Sequence, residues 1–169
     1  KRITSDWVFI SSVINALAEN GKAVTIMPNG VLYKLTDKAI RQEIIENGYV
    51  EAVISLPGNI FNNTMIETTL LVLSNGNKKV KFINGSNLCE KEENRNKLNV
   101  EKIFNEYLNV KDSDITKTVS IKEIEKMSFC LLASNYMTKK KVVINNPKML
   151  SEVAEIFRGY QITSSEINQ

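Results

Sequence analysis

Two apolar runs, each closed by a proline, constrain this chain more than any other feature. Ala23-Val24-Thr25-Ile26-Met27 opens into Pro28-Asn29-Gly30-Val31-Leu32-Tyr33. Glu51-Ala52-Val53-Ile54-Ser55-Leu56 opens into Pro57-Gly58-Asn59-Ile60-Phe61-Asn62-Asn63-Thr64. The stretch between them has helical periodicity, with Ile40, Ile44 and Ile45 on one stripe. Strand, helix, strand in that order predicts a parallel sheet with a crossover. Ligands bind such sheets in the loops beyond the carboxyl ends of the strands. Both polar, aromatic-bearing loops therefore fall on the edge where chemistry is expected.

The flanking segments extend the pattern. Asp6 is suited to cap a helix through Asn20, with Gly21 ending it and Trp7, Ile10, Ile14 and Leu17 as its inner stripe. Lys22 to Met27 and Val50 to Leu56 read as short buried strands. Thr36 or Asp37 caps the helix between them, and Gly48 supplies a left-handed stop. Thr68 to Leu73 is a third strand. Its connection from the second carries no helical pattern, so the pair is expected to be antiparallel. Ser74-Asn75-Gly76-Asn77 marks a turn into Val80 to Asn84, read as a hairpin. The expected fold is α/β, the second half of a doubly wound sheet with an antiparallel strand near its edge.

Beyond Gly85 the composition shifts. Glu90 to Lys97 reads as a charge-rich loop or frayed helix and Asn99 to Leu108 as a helix. Ser120 caps a short helix through Lys126, and Phe129 to Tyr136 is irregular and apolar. Thr138 to Lys141 is a basic linker, and Pro147 introduces a short helix from Leu150, stopped by Gly159. Three regions are expected: 1–85, the sheet; 86–137, a mostly helical extension; 138–169, a linker and the start of something further.

The chain has 169 residues, 43% hydrophobic and 24% charged, as in soluble globular proteins. No apolar run approaches the roughly 20 residues that span a bilayer. The opening Lys-Arg-Ile-Thr-Ser-Asp is not a signal peptide, and the absence of an initial Met points to a fragment with motifs upstream. A net charge of +3 is compatible with nucleic acid without requiring it. Cys89 and Cys130 are far apart with no Cys-x-x-Cys, which fits a reducing, cytoplasmic setting. There is no histidine, which excludes histidine acid–base chemistry and histidine metal ligation within this chain. Neither Gly-x-Gly-x-x-Gly nor a P-loop is present.

The candidate residues each admit two readings. Pro28, Asn29 and Gly30 form either a plain turn or part of a site. Phe61, between Asn59 and Thr64, is either packing or a ring that stacks on a flat substrate. Lys139, Lys140 and Lys141 are either a solvated linker or phosphate contacts.

Taken together, Gly21 to Tyr33, Ile40-Arg41 with Ile44-Ile45-Glu46, and Glu51 to Phe61 with Thr64 to Leu73 resemble one family. It is the modification subunit of type I restriction–modification systems, an N6-adenine DNA methyltransferase. Val80 to Asn84, Ser120 to Ile124 and Leu131 to Tyr136 agree, so the resemblance covers about residues 5 to 137. It implies the second half of a Rossmann-like, S-adenosylmethionine-dependent methyltransferase sheet with an antiparallel edge hairpin. The family's cofactor glycine motif and its Asn-Pro-Pro-aromatic motif precede the matched region, so no catalytic residue is expected here. Asn145-Asn146-Pro147-Lys148 lacks the second proline and the aromatic and is not that motif. The resemblance makes Pro28, Asn29, Gly30, Asn59, Phe61 and Thr64 substrate-binding residues around a flipped adenine. Lys34 and Lys139 to Lys141 become DNA contacts. S-adenosylmethionine is the implied cofactor of the intact protein. Double-stranded DNA, a specificity subunit and, where the system has one, a restriction subunit are the implied partners. No metal and no membrane are implied.

A second, shorter resemblance lies in Leu150 to Ile156 with Arg158-Gly159, which is similar to the opening of a specificity-subunit recognition domain. The other reading is a capped amphipathic helix. Two further readings of the whole stand beside the methyltransferase: a catalytically empty module that binds a specificity or partner subunit, and an unrelated nucleotide-binding α/β domain.

Overall fold

The structure, a computed structural model, describes residues 4–61, 64–93, 95–137 and 148–155. The chain divides into two units, Lys1–Thr138 and Lys139–Gln169. The first holds helices α1 (Ser5–Asn15), α2 (Lys38–Glu46), α3 (Val100–Leu108) and α4 (Ile121–Lys126). Its strands are β1 (Ala23–Pro28), β2 (Val50–Ser55), β3 (Thr68–Leu73), β4 (Lys79–Asn84), β5 (Cys89–Lys91), β6 (Asn96–Leu98) and β7 (Thr116–Ser120). Among its described residues the second unit has one short helix, α5 (Leu150–Val153). That helix ends in extended backbone at Ala154, and Arg158 and Gly159 lie outside the described residues.

The main sheet has the order β1-β3-β2-β4-β7, and β5 with β6 makes a separate ribbon. The mixed α/β class stands. β1 and β2 run the same way, but β3 lies between them, antiparallel to both. The crossover through α2 thus skips one strand position, which β3 fills. The expected hairpin from β3 to β4 does not form. β4 instead pairs in parallel with β2, so the turn at Ser74 to Asn77 carries the chain across the start of β2. There Ser74 N–H donates to the Tyr49 carbonyl at 3.1 Å, and Asn77 N–H donates to the Gly48 carbonyl at 2.9 Å.

Alternation of side chains gives the sheet two faces. One packs Met27, Val53, Leu71, Leu73, Phe82 and Val119 against Trp7, Ile10, Ile44, Ile45, Ile124 and Leu131. The other packs Ala52, Ile54, Val72 and Ile83 against Ile103 of α3. A register shift between Val50 and Ala52 lets Val50 share the first face with Val53. Each fully buried aliphatic side chain contributes about 1.5–3 kcal/mol, so these two faces supply most of the driving force.

β1 is not the buried strand expected. It is an edge, and Val24 and Ile26 are 61% and 54% exposed beside their partners Val72 and Leu70. Apolar content alone does not distinguish an edge strand from a central one. The helical expectations hold in part. Gly48 is left-handed at φ +74° and ends α2 as expected. Asn99 caps α3 through a 3.0 Å bond from Lys102 N–H, and Ser120 with Glu123 forms a reciprocal cap on α4. α1, however, stops at Asn15, not Asn20. Asp6 lies in its first turn, where the helix dipole favours it, and Thr4 occupies the capping position. Asp37 stands at the start of α2, but its carboxylate goes elsewhere. Where a charge-rich loop or frayed helix was expected, Cys89–Lys91 and Asn96–Leu98 pair as a ribbon, with Glu92 N–H donating to the Arg95 carbonyl at 2.9 Å. β7 comes from the region after residue 85 and completes the sheet beside β4.

Candidate functional site

The carboxyl ends of β1 and β2 converge because both pair with the start of β3. Pro28 lies opposite Thr68 and Ser55 opposite Thr69. Pro28, which has no N–H to donate, ends an edge strand, where proline is tolerated. The Asn29 side chain spans the junction. Its Oδ1 accepts from Thr69 Oγ1 at 2.7 Å, and its Nδ2 donates to Glu67 Oε2 at 3.3 Å. Gly30 is not left-handed, and a Cβ there would meet only Lys34 Cε, at 3.8 Å. The turn therefore does not need a glycine at this position. Tyr33 and Lys34 follow, both exposed.

The second loop is fastened from three sides. Leu56 N–H donates to the Thr68 carbonyl at 2.8 Å. A side chain at Gly58 would put Cβ 2.8 Å from the Met65 carbonyl oxygen, so close backbone approach selects glycine. Asn59 is left-handed at φ +56°, a conformation asparagine tolerates. At the start of β6, Asn96 donates its N–H to the Asn59 carbonyl and its Nδ2 to the Gly58 carbonyl, each at 2.7 Å. Phe61 is 40% exposed at the rim of an apolar cleft of about 490 Å³ lined by Ile26, Leu56, Ile60, Leu70 and Leu98. The Thr64 hydroxyl accepts from Ile66 N–H at 3.1 Å, and Met65 and Ile66 project outward beside it. Pro28, Asn29, Gly30, Asn59, Phe61 and Thr64 are thus gathered at one sheet edge. Lys139, Lys140 and Lys141, with Asn145 to Pro147, lie outside the described residues.

Beneath the first loop is a buried guanidinium. Arg41, on the inner side of α2 and 1% exposed, donates from Nη1 to the carbonyls of Val31 (3.2 Å) and Lys34 (2.7 Å). Its Nε donates to the Phe129 carbonyl at 3.0 Å. Trp7 Nε1 reaches the same Val31 carbonyl at 3.3 Å, and Leu131 N–H donates to the Leu32 carbonyl at 3.0 Å. Asp37, fully buried, accepts from Thr4 N–H at 3.2 Å and from Thr4 Oγ1 at 3.1 Å. Burial pulls the Arg41 pKa below its ordinary value, against the attraction of Cys130 and Asp37. A cation interrupting the Ile40, Ile44, Ile45 stripe was the one sequence signal for this role. Nothing in the sequence marked Asn96.

A polar cluster lies at the opposite end of the strands. Lys22 Nζ donates to Glu51 Oε1 at 2.6 Å and to the Tyr107 hydroxyl at 3.0 Å. Ser74 Oγ donates to Glu51 Oε2 at 2.6 Å, and the Tyr107 hydroxyl also donates to Glu51. Burial disfavours the Glu51 carboxylate, but the bonds from Lys22, Ser74 and Tyr107 outweigh it and hold its pKa below the ordinary value. The Lys22 pKa is raised by its bonds to Glu51 and Tyr107. Burial, then the bond to Glu51, raises that of Tyr107. This cluster joins α3 to the sheet, far along the strands from the two loops. Among the described residues, no group of three or more histidine, cysteine or acidic side chains could hold a metal ion. Among them too, no helix is long and apolar enough to cross a membrane.

The chain matches the family model described as N-6 DNA Methylase over residues 1–143. It is 31% identical over 144 residues to the type I restriction enzyme MpnII methylase subunit of Mycoplasma pneumoniae, covering 80% of this chain and 26% of that protein. It is 34% identical over 149 residues to the type I restriction enzyme MjaVIII methylase subunit of Methanocaldococcus jannaschii, covering 80% and 25%. The methyltransferase subunit of a type I restriction–modification system from Streptococcus thermophilus superposes with a TM-score of 0.76 at 31% identity, covering 80% of this chain and 31% of that one. The EcoKI M protein superposes at 0.60 with 15% identity, over 77% and 37%, and bears on the fold alone. The chain spans about a quarter of the length of the curated relatives it matches.

Proposed function

Since the chain belongs to the N-6 DNA methylase family, we propose that it is the closing part of a catalytic domain that methylates adenine N6 in double-stranded DNA. The convergence of the β1 and β2 loops at the start of β3 carries this reading, because it brings two polar, aromatic-bearing segments to one end of the strands. Adenine N6 is paired inside a duplex, so the base must leave the stack to react. Phe61, half-exposed on a fastened loop, stacks on the flipped ring. Asn59 and Thr64 shape that loop, and Pro28, Asn29 and Gly30 form the facing wall. Lys34, with Lys139 to Lys141, meets DNA phosphates. The region 1–85 supplies β1 to β4 of the main sheet, 86–137 supplies β7 and the closing extension, and 138–169 serves as the link to a recognition part.

The described residues do not by themselves fit S-adenosylmethionine. The cleft under Phe61 is walled mainly by aliphatic side chains, and Glu67, beside the Asn29 loop, is already engaged by Asn29. The methyl donor therefore belongs to other parts of the whole enzyme, and this chain's share is the base. A specificity subunit and, where the system has one, a restriction subunit are the partners this reading assigns. Supplying a full-length methylase that carries this chain with S-adenosylmethionine and duplex DNA tests it. Digestion of the DNA should yield N6-methyladenine, and its absence, or methylcytosine alone, would overturn the reading.

A further inference from the structure

We infer that Arg41 is a positioning residue that locks the β1 loop and the turn after α4 into one unit, so that the closing extension sets the shape of the substrate edge. The inference rests on the reading of that edge as the base site. Three carbonyls of the β1 loop, those of Val31, Leu32 and Lys34, are held from beneath. Val31 accepts from Arg41 and Trp7, Leu32 from Leu131, and Lys34 from Arg41. The same guanidinium takes the carbonyl of Phe129, 88 residues away in sequence.

The Phe129 turn is built to present that carbonyl. Ser128 and Phe129 are both left-handed, at φ +55°, which is costly for a bulky side chain and persists only when its surroundings enforce it. The Phe129 ring is 2% exposed, its N–H donates to the Ile124 carbonyl at 3.0 Å, and Lys38 Nζ lies 6.0 Å from the ring centre. A lysine at position 41 would keep the charge but not the planar fork of donors that serves three carbonyls at once. Loss of that fork leaves a carbonyl of the turn, Phe129, and one of the loop, Lys34, without their Arg41 donors at the same time.

The test uses a full-length methylase carrying this chain, with Arg41→Lys, Trp7→Phe and Phe61→Ala compared against the unaltered enzyme. Amide hydrogen exchange of residues 29–36 and 127–132 is measured with the steady-state constants for duplex DNA. Arg41→Lys should accelerate exchange in both segments together. It should also lower kcat per folded molecule at least tenfold, with cofactor affinity unchanged. Trp7→Phe, which removes one donor from Val31 and keeps a buried ring, should act in the same direction more weakly and serves if Arg41→Lys does not fold. Exchange confined to one segment, or normal kcat in the folded enzyme, overturns the inference. If Phe61→Ala also leaves methylation untouched, the base-site reading itself has failed. If Phe61→Ala impairs methylation while Arg41→Lys and Trp7→Phe do not, only the positioning role has.

Discussion

Glu51 shows how a single carboxylate makes this fold pH-dependent. Its pKa is lower in the folded chain than its ordinary value of 4.5, so its contribution to stability is complete above that value and is lost as pH falls through the folded value. Lys22 and Tyr107 behave oppositely. Their folded pKa values are raised above 10.5 and 10.0, so their contributions are complete below those values and are lost as pH rises beyond them. Urea unfolding of the unaltered chain and of Glu51→Gln over a pH series should show this directly. The unaltered chain should weaken below about pH 4.5 more steeply than the variant, and equal acid slopes would contradict the assignment. Two glycines divide in the same concrete way. A Cβ at left-handed Gly48 would lie 2.8 Å from the Asn77 carbonyl oxygen, so Gly48→Ala should cost roughly 1–3 kcal/mol or more. Gly30→Ala has neither obstacle and should stay within about 0.5 kcal/mol in the same denaturant titration. A large loss at Gly30 would mean that the turn, not the site, selects glycine there.

At the scale of elements, the placing of the two loops beyond the carboxyl ends of β1 and β2 was legible and the sheet order was not. Each apolar run announced a strand because it was short, β-branched and closed by proline, and the missing helical pattern before Thr68 announced an antiparallel return. Ser120 and Gly48 were readable because caps and stops depend on local chemistry alone. The insertion of β3 between β1 and β2 depends on which edges meet in three dimensions, and no local signal encodes that. β7 was missed because Thr116 to Ser120, Thr-Lys-Thr-Val-Ser, buries only Thr116 and Val119. The β5–β6 ribbon was missed because its charged side chains face solvent and look like a loop. The ribbon has a measurable duty. Asn96 holds the β2 loop by its N–H on the Asn59 carbonyl and its Nδ2 on the Gly58 carbonyl; Asn96→Ala removes the second bond and should loosen residues 57–61 in hydrogen exchange while leaving the β1 loop protected. Equal loosening of both loops would contradict it.

At the scale of the molecule, β1 presents an outer edge that pairs with no strand among the described residues, and exposed Ile26 and Val100 line the same cleft, with exposed Val24 two residues along β1 from Ile26. Unpaired edges and contiguous apolar surface drive association. The isolated 169-residue chain should therefore self-associate in light scattering and bind an apolar dye, and a monodisperse, dye-free monomer would contradict this. The same chain should show no calorimetric S-adenosylmethionine binding up to millimolar cofactor, and micromolar binding would place the cofactor site within it. The central claim is that this chain supplies the target-base side of a methylase, and Phe61→Ala in the full-length enzyme tests it most directly. Phe61 is 40% exposed, so the change should shift the melting temperature little, unlike the roughly 3–5 kcal/mol lost when a core phenylalanine is truncated. Loss of base stacking worth about 1–3 kcal/mol should lower methylation efficiency roughly 5- to 150-fold with cofactor affinity unchanged. A large fall in melting temperature, with normal specific activity in the fraction that remains folded, would contradict the account.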